Sequence, residues 1–428
     1  MTRRRKRPNL FGWTIFGLVL LFGYYFDQVY LPTQPNPFEA TPTATRSPES
    51  FVTEAQALFQ EGKLPQAIEA YESAIKSSPQ DPTIYIALAR TQVFAGEAQD
   101  AQANAENAIL LSPNNSMAHA VRAWALDFQG KNSEALDEID QALELDPKNA
   151  IAHAYRVEIL IDSGSFENIA TAAEVSRTAL ALDPNALETR RARAYVLEVT
   201  ANYEEAIQYY RSALEINKNL SLLHMELGRN LRFALVYDQA IDEFIIANTL
   251  APQDPEPDYF ISRTYATIGE YEKALQYAET AVKDKPTEPR YRGNYGVMYY
   301  RNFFYTDAVQ QLNLAVNGGR TEEGLPIKGM ALSSDPRIAE YYYTYGMALA
   351  RTNQCGQALP ISQTLLTKFP DTGDPANANV RDSANAIIEI CEENLNNPPT
   401  STAVSDEETA TPEVEETATE SPEATATP

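Results

Sequence analysis

Residues Thr83–Pro113 read TIYIALARTQVFAGEAQDAQANAENAILLSP, and Met117–Pro147, 34 positions later, read MAHAVRAWALDFQGKNSEALDEIDQALELDP. Ala89 recurs as Ala123, Gly96 as Gly130, Ala101 as Ala135, Ala108 as Ala142 and Pro113 as Pro147. A small residue flanked by larger apolar ones at three- and four-residue spacing marks a helix face that another helix approaches closely. Glycine ends a helix, and proline sits where one stops or restarts. Each stretch therefore predicts a helix hairpin: in the first, Thr83–Ala95, a turn at Gly96, then Ala98–Leu110.

Working outward, the same beat runs through most of the chain. One alanine series is Ala67, Ala101, Ala135, Ala172, Ala206, Ala240, Ala274, Ala308 and Ala358. A second lies seven residues further on, from Ala74 to Ala315, with Leu365 last. Both carry the same irregularities, three residues added before Ala172 and sixteen before Ala358, as one physical insertion displacing every later position requires. A third series marks the other helix of each unit: Ala55, Ala89, Ala123, Val157, Ala194, Gly228, Ser262, Gly296 and Gly346.

Small residue, glycine turn, alanine pair and closing proline on this period resemble the tetratricopeptide repeat, over nine units from about Pro48 to Thr372. The resemblance implies an all-α fold, a right-handed superhelix (α-solenoid) of stacked hairpins occupying 50–372. Departures are local: the closing proline becomes Lys218 and Arg320, and the turn glycine becomes Ala201, Leu235, Phe303 and Asn353. Asp374 and Pro375 start a further helix over 373–395 that would cap the open end of the stack. The insertion, about 318–337, holds too much Gly and Pro for a helix and too many apolar residues (Leu325, Ile327, Met330, Leu332) for a solvated loop. It is expected to fold back onto the solenoid or to meet a partner.

The flanks have other compositions. Basic residues crowd segment 1–9, and no charge interrupts Leu10–Phe26. Extended through Leu31, this run predicts a single transmembrane signal-anchor over 10–31, with the basic end cytoplasmic and the repeats outside. A cleaved signal peptide would show a small-x-small site, and Gly23-Tyr24-Tyr25-Phe26 offers none. Residues 32–49 form a Pro/Thr-rich linker, and 396–428 an acidic Thr/Pro/Glu tail whose composition predicts disorder. Formal charge is −25, which disfavours nucleic acid as a partner.

Chemistry-bearing motifs are few. His119, His153 and His224 occupy equivalent repeat positions, which predicts packing rather than catalysis or metal ligation. No phosphate loop, HExxH or nucleophile elbow occurs, so no enzyme activity, cofactor or metal is expected. The register places Cys355 at the start of one helix and Cys391 near the end of the capping helix, which predicts a disulfide stapling cap to stack.

In the family that the repeat resembles, first-helix positions two, five, nine and twelve line the concave groove. Carried onto this sequence, the groove residues are Trp124, Arg191, Tyr195, Arg229, Arg232, Tyr259, Arg263, Arg290 and Tyr300. In units six to eight the stripe carries four arginines and one acid, Glu256, interleaved with tyrosines. Arginine forks suit carboxylates, which predicts an extended acidic or C-terminal peptide as ligand. Alternatively, these arginines pair with acids on adjacent second helices and hold the superhelix in shape. The overall expectation is a membrane-anchored extracytoplasmic scaffold binding proteins or peptides of the cell envelope or surface. A receptor for a small ligand or glycan, and an accessory subunit of a cell-envelope enzyme or secretion complex, are the alternatives.

Overall fold

The computed structural model describes residues 10–26, 28 and 46–396. The basic segment 1–9, most of the linker, the last residues of the expected anchor and the tail 397–428 lie outside the described residues. Helix α1 (Leu10–Tyr25) is apolar on every side. Its 16 residues reach about 24 Å against the ~30 Å hydrocarbon core, and no helix among the described residues is long and apolar enough to cross a membrane.

The chain divides into two compact units, 1–250 and 251–428. The first holds six hairpins: α2 (Pro48–Gln60) with α3 (Leu64–Ser77), α4 (Pro82–Phe94) with α5 (Ala98–Leu111), α6 (Ser116–Asp127) with α7 (Asn132–Leu145), α8 (Ala150–Asp162) with α9 (Phe166–Leu182), α10 (Leu187–Val199) with α11 (Tyr203–Leu214), and α12 (Ser221–Phe233) with α13 (Tyr237–Leu250). The second holds three: α14 (Pro255–Thr267) with α15 (Tyr271–Asp284), α16 (Pro289–Arg301) with α17 (Tyr305–Asn317), and α18 (Pro336–Arg351) with α19 (Cys355–Lys368), closed by α20 (Pro375–Asn396). These are the nine predicted units and the cap.

Local chemistry sets the helix starts. Asp81, Asn115, Asn149, Asp254 and Asp335 cap their helices by accepting backbone N–H bonds, and Pro82, Pro255, Pro289 and Pro336 occupy first-turn positions where no donor is needed. The seams are closed by small residues. A Cβ on Gly228 would stand 2.5 Å from the Phe244 ring, and one on Gly346 2.4 Å from Ile387. Every hairpin turn needs a residue in the left-handed region. Glycine supplies it in five; in the other four Ala201, Leu235, Phe303 and Asn353 take φ of 58°, 62°, 66° and 59°. For Ala, Leu and Phe this costs roughly 1–2 kcal/mol each.

The first unit curls far enough for its first repeat to meet the loop before its sixth. Asn217 Nδ2 donates to the Phe59 carbonyl at 3.2 Å and Asn219 Nδ2 to the Gln60 carbonyl at 2.7 Å. Between them Gly62 has no room for a side chain, since a Cβ would lie 2.2 Å from the Asn219 carbonyl oxygen. One core runs from Phe59 through Phe94, Trp124 and Tyr155 to Leu187, Leu220 and Leu223.

In the second unit the insertion folds back onto the end of α17. Strand β1 (Gly319–Arg320) pairs antiparallel with β2 (Pro326–Ile327), Ile327 is buried, and the Met330 amide donates to the Ala315 carbonyl at 2.9 Å. Helix α20 packs on α18 and α19, and the Cys355–Cys391 disulfide joins it to the start of α19 with a Cα–Cα separation of 5.5 Å.

Candidate functional site: two inner faces

The first helices of the hairpins turn their stripe positions inward, and the two units fill those positions differently. In the first unit the inner face is closed. Trp124 has 0% exposure, stacks on Tyr155 at 4.4 Å and donates its indole N–H to Glu158 at 2.9 Å. Arg191, 5% exposed, gives Nη1 to the other Glu158 oxygen at 2.6 Å and forks Nε and Nη2 onto Glu226 at 2.6–3.0 Å. Arg90 reaches Glu188 across 98 residues of sequence at 2.6 Å. Burial works against the Arg191 charge, but Glu158 and Glu226 hold it well above the usual arginine range. Burial pushes Glu158 up to about 7 although Arg191 opposes it.

Further along this face, burial raises Asp127 to about 8, and the neighbouring charges of Asp162 and Glu158 push the same way. Asp162 accepts the Tyr195 hydroxyl, and Arg229 pairs with Glu198 at 3.5 Å. Arg232, on the same helix as Arg229, is half-buried. Of the nine expected groove residues, five therefore belong to the first unit, and Trp124 and Arg191 are enclosed. Curvature brings the stripe positions of successive repeats together, so aromatic rings and Arg–Glu pairs fill the space a ligand would need.

The second unit carries Tyr259, Arg263, Arg290 and Tyr300. Tyr259 is also enclosed, at 0% exposure, with the Arg290 guanidinium over its ring at 4.7 Å. Arg290 pairs with Glu256, and Arg263 with Glu340 at 3.1 Å. These partners, like Glu158, Glu198 and Glu226, sit on first helices of other repeats rather than on the expected second helices.

This face nevertheless keeps unmatched positive charge. Arg301, Arg337 and Arg351 have no carboxylate partner among the described residues, and Arg301 and Arg351 are exposed. Arg301 lines a recess of about 200 Å³ with Arg263, Thr267, Tyr271 and Glu340. Burial lifts the Tyr343 hydroxyl to about 12, against the pull of nearby Arg301 and Arg263. Burial likewise raises Tyr300, with Arg351 beside its hydroxyl opposing, and Tyr300 points that hydroxyl at Met347 Sδ, 3.7 Å away.

Sequence reasoning missed Arg301, Arg337, Arg351, Tyr343 and Met347. The signal for two was present: the register that marks Tyr259 and Arg263 in the seventh unit marks Tyr343 and Met347 in the ninth.

The histidines do have a repeat-level task. Nε2 of His119, His153 and His224 faces the carbonyl oxygen six residues back, at 2.9, 3.0 and 2.9 Å. Arg190 and Arg292 donate to the same loop position through Nε at 2.9 and 2.7 Å. These side chains tie each inter-repeat loop to the helix that follows it. Among the described residues no group of three or more His, Cys, Asp or Glu is placed to hold a metal ion.

No protein of curated function matches the chain significantly. Among solved structures, a chain of the APC/C hetero-tetramer Cut9–Hcn1 superposes with a TM-score of 0.55 at 13% identity, covering 86% of this chain and 82% of that one. A chain of the human IFIT1 dimer with PPP-AAAA gives 0.52 at 16% identity, covering 81% and 82%. At such identities the likeness speaks to the fold alone. Sequence profiles described as tetratricopeptide repeat match residues 58–125, 121–168, 165–221 and 261–323, more than half of the chain. Profiles, helix register and nine left-handed turns agree that this chain belongs to the tetratricopeptide repeat proteins.

Proposed function

We propose that this protein is a scaffold that holds an extended acidic segment of a partner protein against the inner face of its second unit. The observation that carries the reading is the pair Arg301 and Arg351, two exposed cations without carboxylate partners among the described residues, beside Tyr343 and Tyr300, in a chain of net charge −25. Guanidinium forks bind carboxylates in a fixed geometry, and half-buried tyrosines add contact area at little entropic cost. The disulfide suits an oxidising compartment, which favours a place outside the cytoplasm, and the apolar run from Leu10 favours a membrane tether over 10–31.

The test is binding of a labelled acidic peptide of about twelve residues, long enough in extended form to cross three first helices. Arg301→Glu with Arg351→Glu is expected to weaken it at least tenfold while leaving the thermal transition in place, because both side chains are exposed. Equal affinity for variant and parent would sink the reading. An impermeant amine-reactive label on intact cells should modify the repeats; protection from it would overturn the location.

A further inference from the structure

We infer that the second unit reads its partner by an apolar side chain as well as by a carboxylate: the exposed ring of Phe303, with Tyr305, seats a large aliphatic or aromatic residue a few positions from the acid held by Arg301 and Arg351. This rests on the reading of that face given above and narrows it from an acidic segment to an acidic segment with an apolar anchor.

Phe303 occupies the hairpin turn between α16 and α17 at φ 66°, in the left-handed region. Gly96, Gly130, Gly164 and Gly269 fill the equivalent turns of other repeats, and a Cβ on any of them would meet nothing within 4 Å. A side chain at this place therefore points off the stack. Phe303 is accordingly 76% exposed, and Phe304 beside it 52%. Asn353, at the same turn of the next hairpin, is a residue type whose short polar side chain tolerates the conformation; phenylalanine is not. A large ring thus stands in solvent at a backbone position that glycine would take without strain. Folding gains from it at most an edge contact with Tyr305, whereas a second molecule could cover the whole ring.

The ring is continuous with the arginines. Phe303 meets Tyr305 edge-on with centroids 6.3 Å apart, and Tyr305 meets Tyr300 at 5.3 Å. Tyr300 has Arg351 beside its hydroxyl and Met347 Sδ 3.7 Å from it. Arg301 ends α16, two residues before Phe303, and Arg351 ends the neighbouring α18, so both cations and the ring share the hairpin-turn edge. Tyr300 and Tyr305 are half-buried and Phe303 is exposed, so the aromatic strip runs outward from the inner face. Two ring steps of this size are spanned by about three or four residues of extended backbone at roughly 3.3 Å each.

Charge and surface chemistry select the occupant together. Arg301 and Arg351, without carboxylate partners among the described residues, suit an acid, and the aromatic strip beside them suits an apolar side chain laid across its rings. A segment that carries both covers the strip; a purely acidic one leaves Phe303 in water. A lipid surface fits less well, because Tyr300 and Met347 lie half-buried on the inner face, where an extended chain reaches and a flat layer of headgroups does not.

The experiment uses the full chain and two fluorescein-labelled peptides of about twelve residues, followed by anisotropy. One has a central pair of glutamates with a leucine about three residues away on either side, in a Ser/Thr frame, so that it can bind in either chain direction. The other has serine in place of both leucines. Support is a roughly fivefold tighter Kd for the leucine peptide, a preference that Phe303→Gly abolishes while leaving the affinity for the serine peptide unchanged. Because glycine takes this backbone freely, the thermal transition of Phe303→Gly should stay in place or rise, which separates a lost contact from a damaged fold. Equal affinity of the parent for both peptides overturns the anchor and leaves the acid-binding face standing. A leucine preference that persists in Phe303→Gly also overturns it, because the apolar residue then sits elsewhere. Equal affinity for both peptides together with Phe303-dependent sedimentation on phosphatidylserine vesicles overturns it in favour of a lipid surface. Binding of neither peptide by the parent overturns the reading of the face, and the anchor falls with it.

Discussion

The two units build their inner faces from the same helix positions and reach opposite results. In 1–250 the stripe is spent inward: Phe59, Phe94, Trp124 and Tyr155 form a continuous aromatic core, and Arg90 and Arg191 are locked onto Glu188, Glu158 and Glu226. In 251–396 Tyr259 is also enclosed, but Tyr300 and Tyr343 stay half-buried on the stripe, and Arg301, Arg337 and Arg351, just off it, have no carboxylate partner among the described residues. The difference teaches that the repeat frame does not itself make a groove. Curvature and side-chain size decide whether an inner position becomes core or recognition surface. The first unit is closed by contacts between its first repeat and its sixth, the second by a capping helix and a disulfide.

The strongest way to break the comparison is at Arg191. Replacing it with Ala leaves Glu158 and Glu226 buried and uncompensated, and removing one partner of a buried pair costs about 3–5 kcal/mol. Denaturant unfolding should show the loss in the transition of the first unit. A loss below about 1 kcal/mol would mean that this face is solvated and behaves as an open groove after all. Next in size, Cys355→Ser with Cys391→Ser opens a loop whose ends are 36 residues apart, for which chain entropy gives roughly 3–4 kcal/mol. That loss should fall on the second unit; a matching loss in the first would contradict the division at Leu250.

What the sequence made legible was whatever the 34-residue period controls. Hairpins, small-residue seams and turns recur, and each is set by residues within one unit or the next. Thus Ala201, Leu235, Phe303 and Asn353 could be placed at turn positions without glycine, and all four adopt the glycine-like backbone. Cys355 and Cys391 could be paired because both ends of the staple follow from register. The Asn219–Gln60 contact and the Arg90–Glu188 pair could not be read, because they depend on curvature accumulated over several repeats and leave no local pattern. The same blindness turned Trp124, Arg191 and Tyr259 into expected ligand contacts when they are enclosed. Arg301 was missed for a smaller reason: it lies one residue past the stripe, at the end of α16, where a long side chain still reaches the inner recess.

The gentlest test of the contrast uses pH. Asp127 is 5% exposed and its carboxyl meets no hydrogen-bond donor; its side-chain neighbour for a hydrogen bond is the Asp162 carboxylate, which favours the protonated form. Burial first, then Asp162 and Glu158, raise it from 3.8 to about 8. Between those values the folded state keeps a proton that the unfolded chain has released. The associated stability is complete below about pH 4 and declines as pH rises, until the folded state also loses the proton above about pH 8. One proton per molecule corresponds to ~1.4 kcal/mol per pH unit, so the first unit should weaken by roughly 2–3 kcal/mol between pH 6 and 8. Asp127→Asn removes this titration and should flatten the dependence, with the variant gaining on the parent as pH rises. Glu158, raised to about 7, leaves part of the slope in place up to that pH. If parent and variant trace parallel curves, Asp127 is solvated and ionised as it would be in an open groove. The inner face of the first unit would then be available to a ligand, and the contrast with the second would lose its basis.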